Sequence, residues 1–319
     1  MISRYTREIS VGAAYAALLL LLWIAAPRFY EGDEVRSILV KSAPVLILAV
    51  GMTLVVLARH IDISIGSLFS VCGVVAGVLA QSGVPMALVV PLTLLAGAGL
   101  GALNGALVAG AGLPAIVVTL ATKVALQESL GWAREGRFVG NLPPAFQWLG
   151  LDQSAGRWML ILVALGLFAA VAWGMRYLAA GRAVRAVGSD AEAARLAGIR
   201  PPRVVFAVFV LMGALTGLAA LLNSVRFPQV DPNAGKGLEL QVIAAVVVGG
   251  VAISGGRGTL AGAGVGVLLL LSTGSALVFM GIPAPWEKAV QGAIILVAVA
   301  SDAFNLRQRT DARASLASR

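Results

Sequence analysis

Thr119, Thr122, Lys123 and Gln127 lie three and four residues apart inside an otherwise apolar stretch, 114–132, so a helix places all four on one face. If that stretch crosses a bilayer, Lys123 sits near its middle. A lone ammonium facing lipid at that depth costs roughly 2.5–3.5 kcal/mol or more. Three readings follow: Lys123 lines a wet pathway, it pairs with Glu128 or another acid, or the span boundary is misplaced. Asn104, beside Gly105, is a second polar residue within an apolar run, suited equally to packing and to lining a pathway. Asp62 lies in Ile61-Asp62-Ile63-Ser64. With Ser64 and Ser67 it is placed to cap the helix that follows, because carboxylate and hydroxyl oxygens accept from the free N–H groups of a first turn. Gating the inner mouth of a pathway is the functional alternative for Asp62.

Covalent chemistry has little to work with. The chain has one His, His60, and one Cys, which excludes a disulfide and a cysteine-ligated metal site. His60 has no second ligand to join it and reads as an interfacial residue. The stretch Gly255-Gly256-Arg257-Gly258, with Gly262, imitates a dinucleotide loop. Its flanks are apolar runs and no acid follows until Glu287, so it reads as a tight turn between two short membrane helices. No phosphate-binding G-x-x-x-x-G-K-[ST] motif is present, so the chain is expected to bind neither ATP nor any cofactor or metal of its own.

These few polar groups must be positioned by membrane helices. Of 319 residues, 59% are hydrophobic and only 12% are charged, roughly half the average of about 25% in soluble domains. Mean hydropathy is +0.92. Such a chain lacks the polar surface of a soluble enzyme. Ten runs are nearly free of charge: 11–27, 38–58, 66–80, 87–109, 114–132, 158–175, 204–223, 240–254, 259–273 and 289–305. The runs 66–80, 240–254 and 259–273 are short for a span of about 20 residues, so they are tilted, discontinuous or only partly crossing, and eight spans is the lower count. The first run has no small-residue cleavage site before Pro27-Arg28 and reads as a retained span.

Ten spans put both termini on one side. With that side cytoplasmic, the inside segments 1–10, 59–62, 110–113, 176–203, 255–258 and 302–319 carry +8 and the remainder +1, together the net +9. That is the asymmetry of a positive-inside protein, and it leaves no nucleic-acid patch. The expected organisation is an all-α polytopic membrane protein of about ten helices. A single transmembrane domain, 11–305, lies between a cytoplasmic N-terminus, 1–10, and a cytoplasmic tail, 306–319. Lipid gives helices no hydrophobic reason to associate, so small residues must let backbones meet. Gly97, Gly101 and Gly105, then Gly73 and Gly77, then Gly262 and Gly266, are spaced by four for that purpose. Pro44, Pro91 and Pro114 bend or begin spans.

Residues 176–203 form the one large inside loop. Ser189 and Glu192 have capping-box spacing, so a helix of about two turns is expected to start at Ser189 and stop at Gly198, before Pro201-Pro202. It is too short to be stable alone in water. Its small face, Ala193, Ala194 and Ala197, suits a groove on a partner, or the helix is an ordinary capped connector.

The segment from Glu192 to Ile199, Glu-Ala-Ala-Arg-Leu-Ala-Gly-Ile, resembles the coupling loop of ATP-binding-cassette importer permeases, in the branch for ribose and related monosaccharides. Further stretches match that branch in order: Gly51-Met52-Thr53-Leu54, Ile61 to Ser67, Asn104-Gly105, Val118-Thr119-Leu120, Pro232-Asn233-Ala234-Gly235, Ile243 to Val247, and Ser254 to Gly258. The resemblance covers roughly residues 40–305. It implies a bacterial inner-membrane subunit that imports a monosaccharide by ATP-driven alternating access and is not itself an enzyme. The implied partners are cytoplasmic ATPase subunits that bind the ATP, a periplasmic sugar-binding protein, and a second permease copy, identical or related. Ser189, Glu192, Ala193, Ala194 and Gly198 would couple to the ATPase. Asp62, Ser64, Asn104, Thr119, Thr122, Lys123 and Gln127 would border the substrate pathway. The Lys123 position is usually apolar in this family, which leaves room for a solute unlike ribose. Rhamnose or another deoxy-sugar is the expected cargo, with ribose or a furanosyl signalling molecule as alternatives. Outside loops 28–37, 133–157 and 224–239 carry both charge signs and suit a docking face for the binding protein. An ion-coupled secondary transporter is the alternative function. It is disfavoured by the docking helix and by the lack of acids at mid-membrane other than Glu128.

Overall fold

A computed structural model describes residues 6–25, 27–30 and 33–283, with isolated positions between 286 and 296. The run 289–305 and the tail lie largely or wholly outside the described residues, as does the N-terminus up to residue 5. Among the described residues the chain is helical, apart from one isolated bridge between Val139 and Val230. The helices are α1 (Thr6–Ala25), α2 (Glu34–Leu57), α3 (Ile65–Gln81), α4 (Met86–Gly105), α5 (Ala115–Arg134), α6 (Gln153–Tyr177), α7 (Ala179–Ser189), α8 (Ala191–Leu196), α9 (Pro201–Ser224), α10 (Leu238–Val248) and α11 (Leu260–Phe279). Among the described residues, five stretches are both long and apolar enough to cross a membrane: α2, α4 with the π-helical turn Ala106–Gly110 that continues it, α6, α9 and α11.

Nine of the ten apolar runs thus become helices, with informative departures. α11 extends to Phe279, beyond the run's end at 273, so it is no short span. α10 covers only half of 240–254, because Gly249 and Gly250 end it and the chain turns back through 251–258. α7 has no counterpart among the expected helices. It lies within the 176–203 loop and buries Gly181, Val184, Val187 and Gly188, a set spaced by three, three and one along one face.

α2 is the centre of the bundle. It is buried on all sides along most of its length, which is why its sequence is apolar all round and carries no amphipathic stripe. Around it stand α6, α9, α10 and α11. The glycine ridges seat these helices. A methyl group on Gly97 or Gly101 would run into the α9 backbone at Gly213 and Phe209, and one on Gly217 would lie 2.6 Å from the Thr93 carbonyl oxygen. α4 and α9 therefore touch backbone to backbone. Gly262 and Gly266 do the same between α11 and α10, and Gly73 and Gly77 admit Ser224, Val230 and Val139 against α3. Pro44 and Pro91 lie inside α2 and α4, and Pro114 precedes α5.

The connections segregate to two ends. At one end, the turn after α2, the α7–α8 pair and the glycine turn 249–258 meet: the Gly256 N–H donates to the Leu57 carbonyl at 2.9 Å, and Gly188 abuts both. At the other end, Val139 pairs with Val230, the Trp148 N–H donates to the Val225 carbonyl, and Arg157 meets Asp33. The first end gathers described segments read above as inside, the second gathers those read as outside.

Candidate functional site

The glycine-turn end carries α8. Its N-cap is Asp190, whose carboxylate accepts from the Glu192 and Ala193 N–H groups, both at 2.9 Å. This corrects the expectation for Ser189, which is instead the last residue of α7. With Ser189 inside a helix its hydroxyl is no longer at a cap, and Asp190, in extended backbone at φ −158°, takes the role. Glu192 does not complete a capping box either: it bonds Arg195 twice, at 2.6 and 3.0 Å. That bond holds the exposed Arg195 guanidinium above its ordinary pKa. Gly198 does end the helix, at φ +83°, a left-handed conformation that glycine adopts without strain.

The exposed face of α8 also differs from expectation. Ala194 is buried against the bundle core, so it anchors the helix to its own chain. Ala193 and Ala197 face out, and between them stands Leu196, 80% exposed. A six-residue helix is held here by one cap and one buried methyl, and presents a small apolar patch beside an ion pair.

The polar residues singled out in the sequence converge on α5 and the N-terminus of α3. Asp62 accepts from the Ser64 N–H at 2.9 Å and from the Ser64 hydroxyl at 2.5 Å. This closes a turn one step ahead of α3, with Ser67 donating back to the Ser64 carbonyl at 2.8 Å. Asp62 therefore organises the entry to the helix but does not bond its first-turn N–H groups. Asn104 donates to the Ser64 hydroxyl at 2.9 Å and accepts from the Thr122 hydroxyl at 2.7 Å. A continuous chain thus runs from Thr122 on α5 through Asn104 on α4 to Ser64 and Asp62. Thr119 bonds back to the Ala115 carbonyl at 2.8 Å and lies 3.5 Å from that of Ile61.

Lys123 lies in mid-helix, and its partner is an acid other than Glu128. Its Nζ meets Glu239 Oε1 at 2.5 Å, across 116 residues of sequence. Glu239 stands in the first turn of α10 and is 3% exposed. Gln127, one turn along α5 from Lys123, borders the same small cavity, with Gly66, Ser70, Asn233 and Glu239. Glu239 was not singled out in the sequence. Its signal was an acid set between two leucines at the start of an apolar run, Leu238-Glu239-Leu240. His60 tilts against Phe209, with ring centres 6.1 Å apart, and joins none of these contacts. No cluster of three metal-ligating side chains occurs among the described residues.

A protein-family model described as "Branched-chain amino acid transport system / permease component" matches residues 35–299. Among curated proteins, the chain is similar to the "Autoinducer 2 import system permease protein LsrC" of Photorhabdus laumondii, 31% identical over 318 residues, covering 96% of this chain and 94% of that one. The protein of the same name from Escherichia coli O157:H7 is 33% identical over 314 residues, covering 93% and 91%. That of Enterobacter sp. (strain 638) is 32% identical over 302 residues, covering 95% and 88%. No solved structure matches significantly.

Proposed function

The chain belongs to the branched-chain amino acid transport system permease family, the membrane subunits of ATP-binding-cassette importers, and on that premise we propose that it imports a small sugar-like solute, autoinducer 2, by ATP-driven alternating access. As a permease subunit it is a multi-pass protein of the bacterial inner membrane and not itself an enzyme; ATP is hydrolysed by separate subunits and solute is delivered by a periplasmic binding protein. The cargo follows from the name shared by relatives 31–33% identical over nine-tenths of the chain. That name supports a signalling solute ahead of rhamnose.

The observation that carries the mechanism is α8, seated on the bundle by Ala194 and presenting Ala193, Leu196 and Ala197 outward. In this reading the ATPase grips residues 190–198, and closure of the ATPases shifts α8 together with the end of α7, where Gly188 and Ser189 meet the turn after α2 and the glycine turn 249–258. Those segments join α2 to α3 and α10 to α11, so the shift passes through α7 to the pathway helices. Lys123 and Gln127 border the pathway, while Asp62, Ser64, Asn104, Thr119 and Thr122 tie α5 to its neighbours. The domain spans 11–305, both termini are cytoplasmic, and a second permease copy completes the channel.

The test is Leu196→Asp, which leaves the Asp190 cap and the Ala194 anchor in place. An apolar contact replaced by a charge is expected to lower ATPase co-purification with the membrane complex at least tenfold. Undiminished co-purification would place the ATPase elsewhere.

A further inference from the structure

The Lys123–Glu239 pair is half finished. Glu239 Oε1 is matched to Lys123, but Oε2 is buried against Gly66 with no hydrogen-bond partner. An orphaned buried acceptor keeps the cost of leaving water with no bond to offset it, the more so when charged. The position has been shaped around it: a methyl group at Gly66 would collide with Oε2 and with the Gly235 carbonyl. Asp62 Oδ2 is also buried without a partner, but Asp62 does not border a cavity with Lys123 as Glu239 does. What the Glu239 carboxylate lacks is a donor, and the Lys123 ammonium has two N–H groups left over.

Lys123 is the accessible half of the pair, with 26% of its side chain exposed against 4% for Glu239. Both border the cavity with Gln127, Asn233, Ser70 and Gly66. Its volume is about 30 Å³, room for one or two hydroxyl-sized groups and not for a whole sugar ring. Lys123, Gln127, Asn233, Ser70 and Glu239 each offer a hydrogen bond, and Lys236 also borders the cavity, so its lining carries two cations and one acid.

We infer that Lys123 and Glu239, with Gln127 and Asn233, form a recognition site for one hydroxyl-bearing edge of the solute. One solute O–H donates to Glu239 Oε2, and the neighbouring hydroxyl oxygen accepts from Lys123 Nζ. Two adjacent hydroxyls match an adjacent acceptor and donor one to one, whereas an analogue with no hydroxyl on that edge leaves a buried polar group without its partner. The inference rests on the proposed import of a sugar-like solute and names the residues that touch it.

The test uses the complex of this chain with its ATPase and binding protein in proteoliposomes, with autoinducer 2 as the probe. No uptake by the wild-type complex would overturn the cargo reading and this inference together. With wild-type uptake in hand, Glu239→Gln is expected to lower uptake at least tenfold at subsaturating solute. The exchanged pair, Lys123→Glu with Glu239→Lys, is expected to remain equally low, because it restores opposite charges but moves the orphan acceptor to the wrong helix. Uptake within twofold of wild type in either variant overturns the site while leaving the transport reading intact. If Glu239→Gln does not assemble with its partners, Gln127→Leu replaces it, with the same tenfold loss expected and wild-type uptake contradicting the site.

Discussion

At the residue scale, the Lys123–Glu239 contact decides how a charge survives inside the bundle. Removing one partner of a fully buried ion pair costs about 3–5 kcal/mol, because the other charge is stranded. Lys123 is partly exposed, so Lys123→Met should cost about 2–3 kcal/mol, read as a lower melting temperature of the purified protein. Lys123→Met combined with Glu239→Leu should recover most of that loss. Equal melting of the single and double variants would show the pair to be uncoupled. Asn104→Leu breaks the chain from Thr122 to Ser64 and should cost about 1–3 kcal/mol in the same assay; unchanged melting would contradict the link. An acid partner for Lys123 was one of three readings open in the sequence, beside a wet pathway and a misplaced span boundary. The identity of that partner was not legible: Glu128 is near in sequence but exposed, while Glu239 lies 116 residues away and is brought close only by the packing of α10 beside α3 and α5.

At the scale of elements, glycine spacing was the most legible feature. Runs of small residues four apart have one face, and in lipid that face has one use. Gly213→Val should abolish folding, seen as loss of monodisperse protein, because its side chain would meet the α4 backbone at Gly97 and Gly101. Gly99→Val, on the open face of the same α4, should leave yield unchanged. Similar yields from both would remove the ridge from the account. The α8 boundary was less legible. Ser189 and Asp190 are equally good caps by residue type, and the choice between them depends on α7 running through Ser189, a helix whose apolar positions are few and include two glycines. α5 shows the limit of hydropathy as a guide. It has crossing length but buries only Ala115, Val118 and Thr119, and its polar contacts, more than its packing, hold it to α3, α4 and α10.

At the scale of the molecule, the charge asymmetry of the sequence alone separates the two ends. The structure gathers Arg59, Arg182, Arg185, Arg195, Arg200, Arg203 and Arg257 into the segments around α7, α8 and the glycine turn. The opposite end, with Asp33, Arg157, Asp231 and Lys236, is mixed in sign. One end is thus suited to a cytoplasmic motor and the other to a delivering protein. Cargo was the least legible property, because the donors and acceptors of the proposed site come from three separate segments of chain: α5, the loop at Asn233 and α10. The most direct test is autoinducer 2 uptake by the reconstituted complex, with ATP supplied to the ATPase side and with ion gradients imposed separately. The account predicts uptake that requires hydrolysable ATP and persists when proton and sodium gradients are collapsed. Uptake driven by an ion gradient without ATP would contradict it.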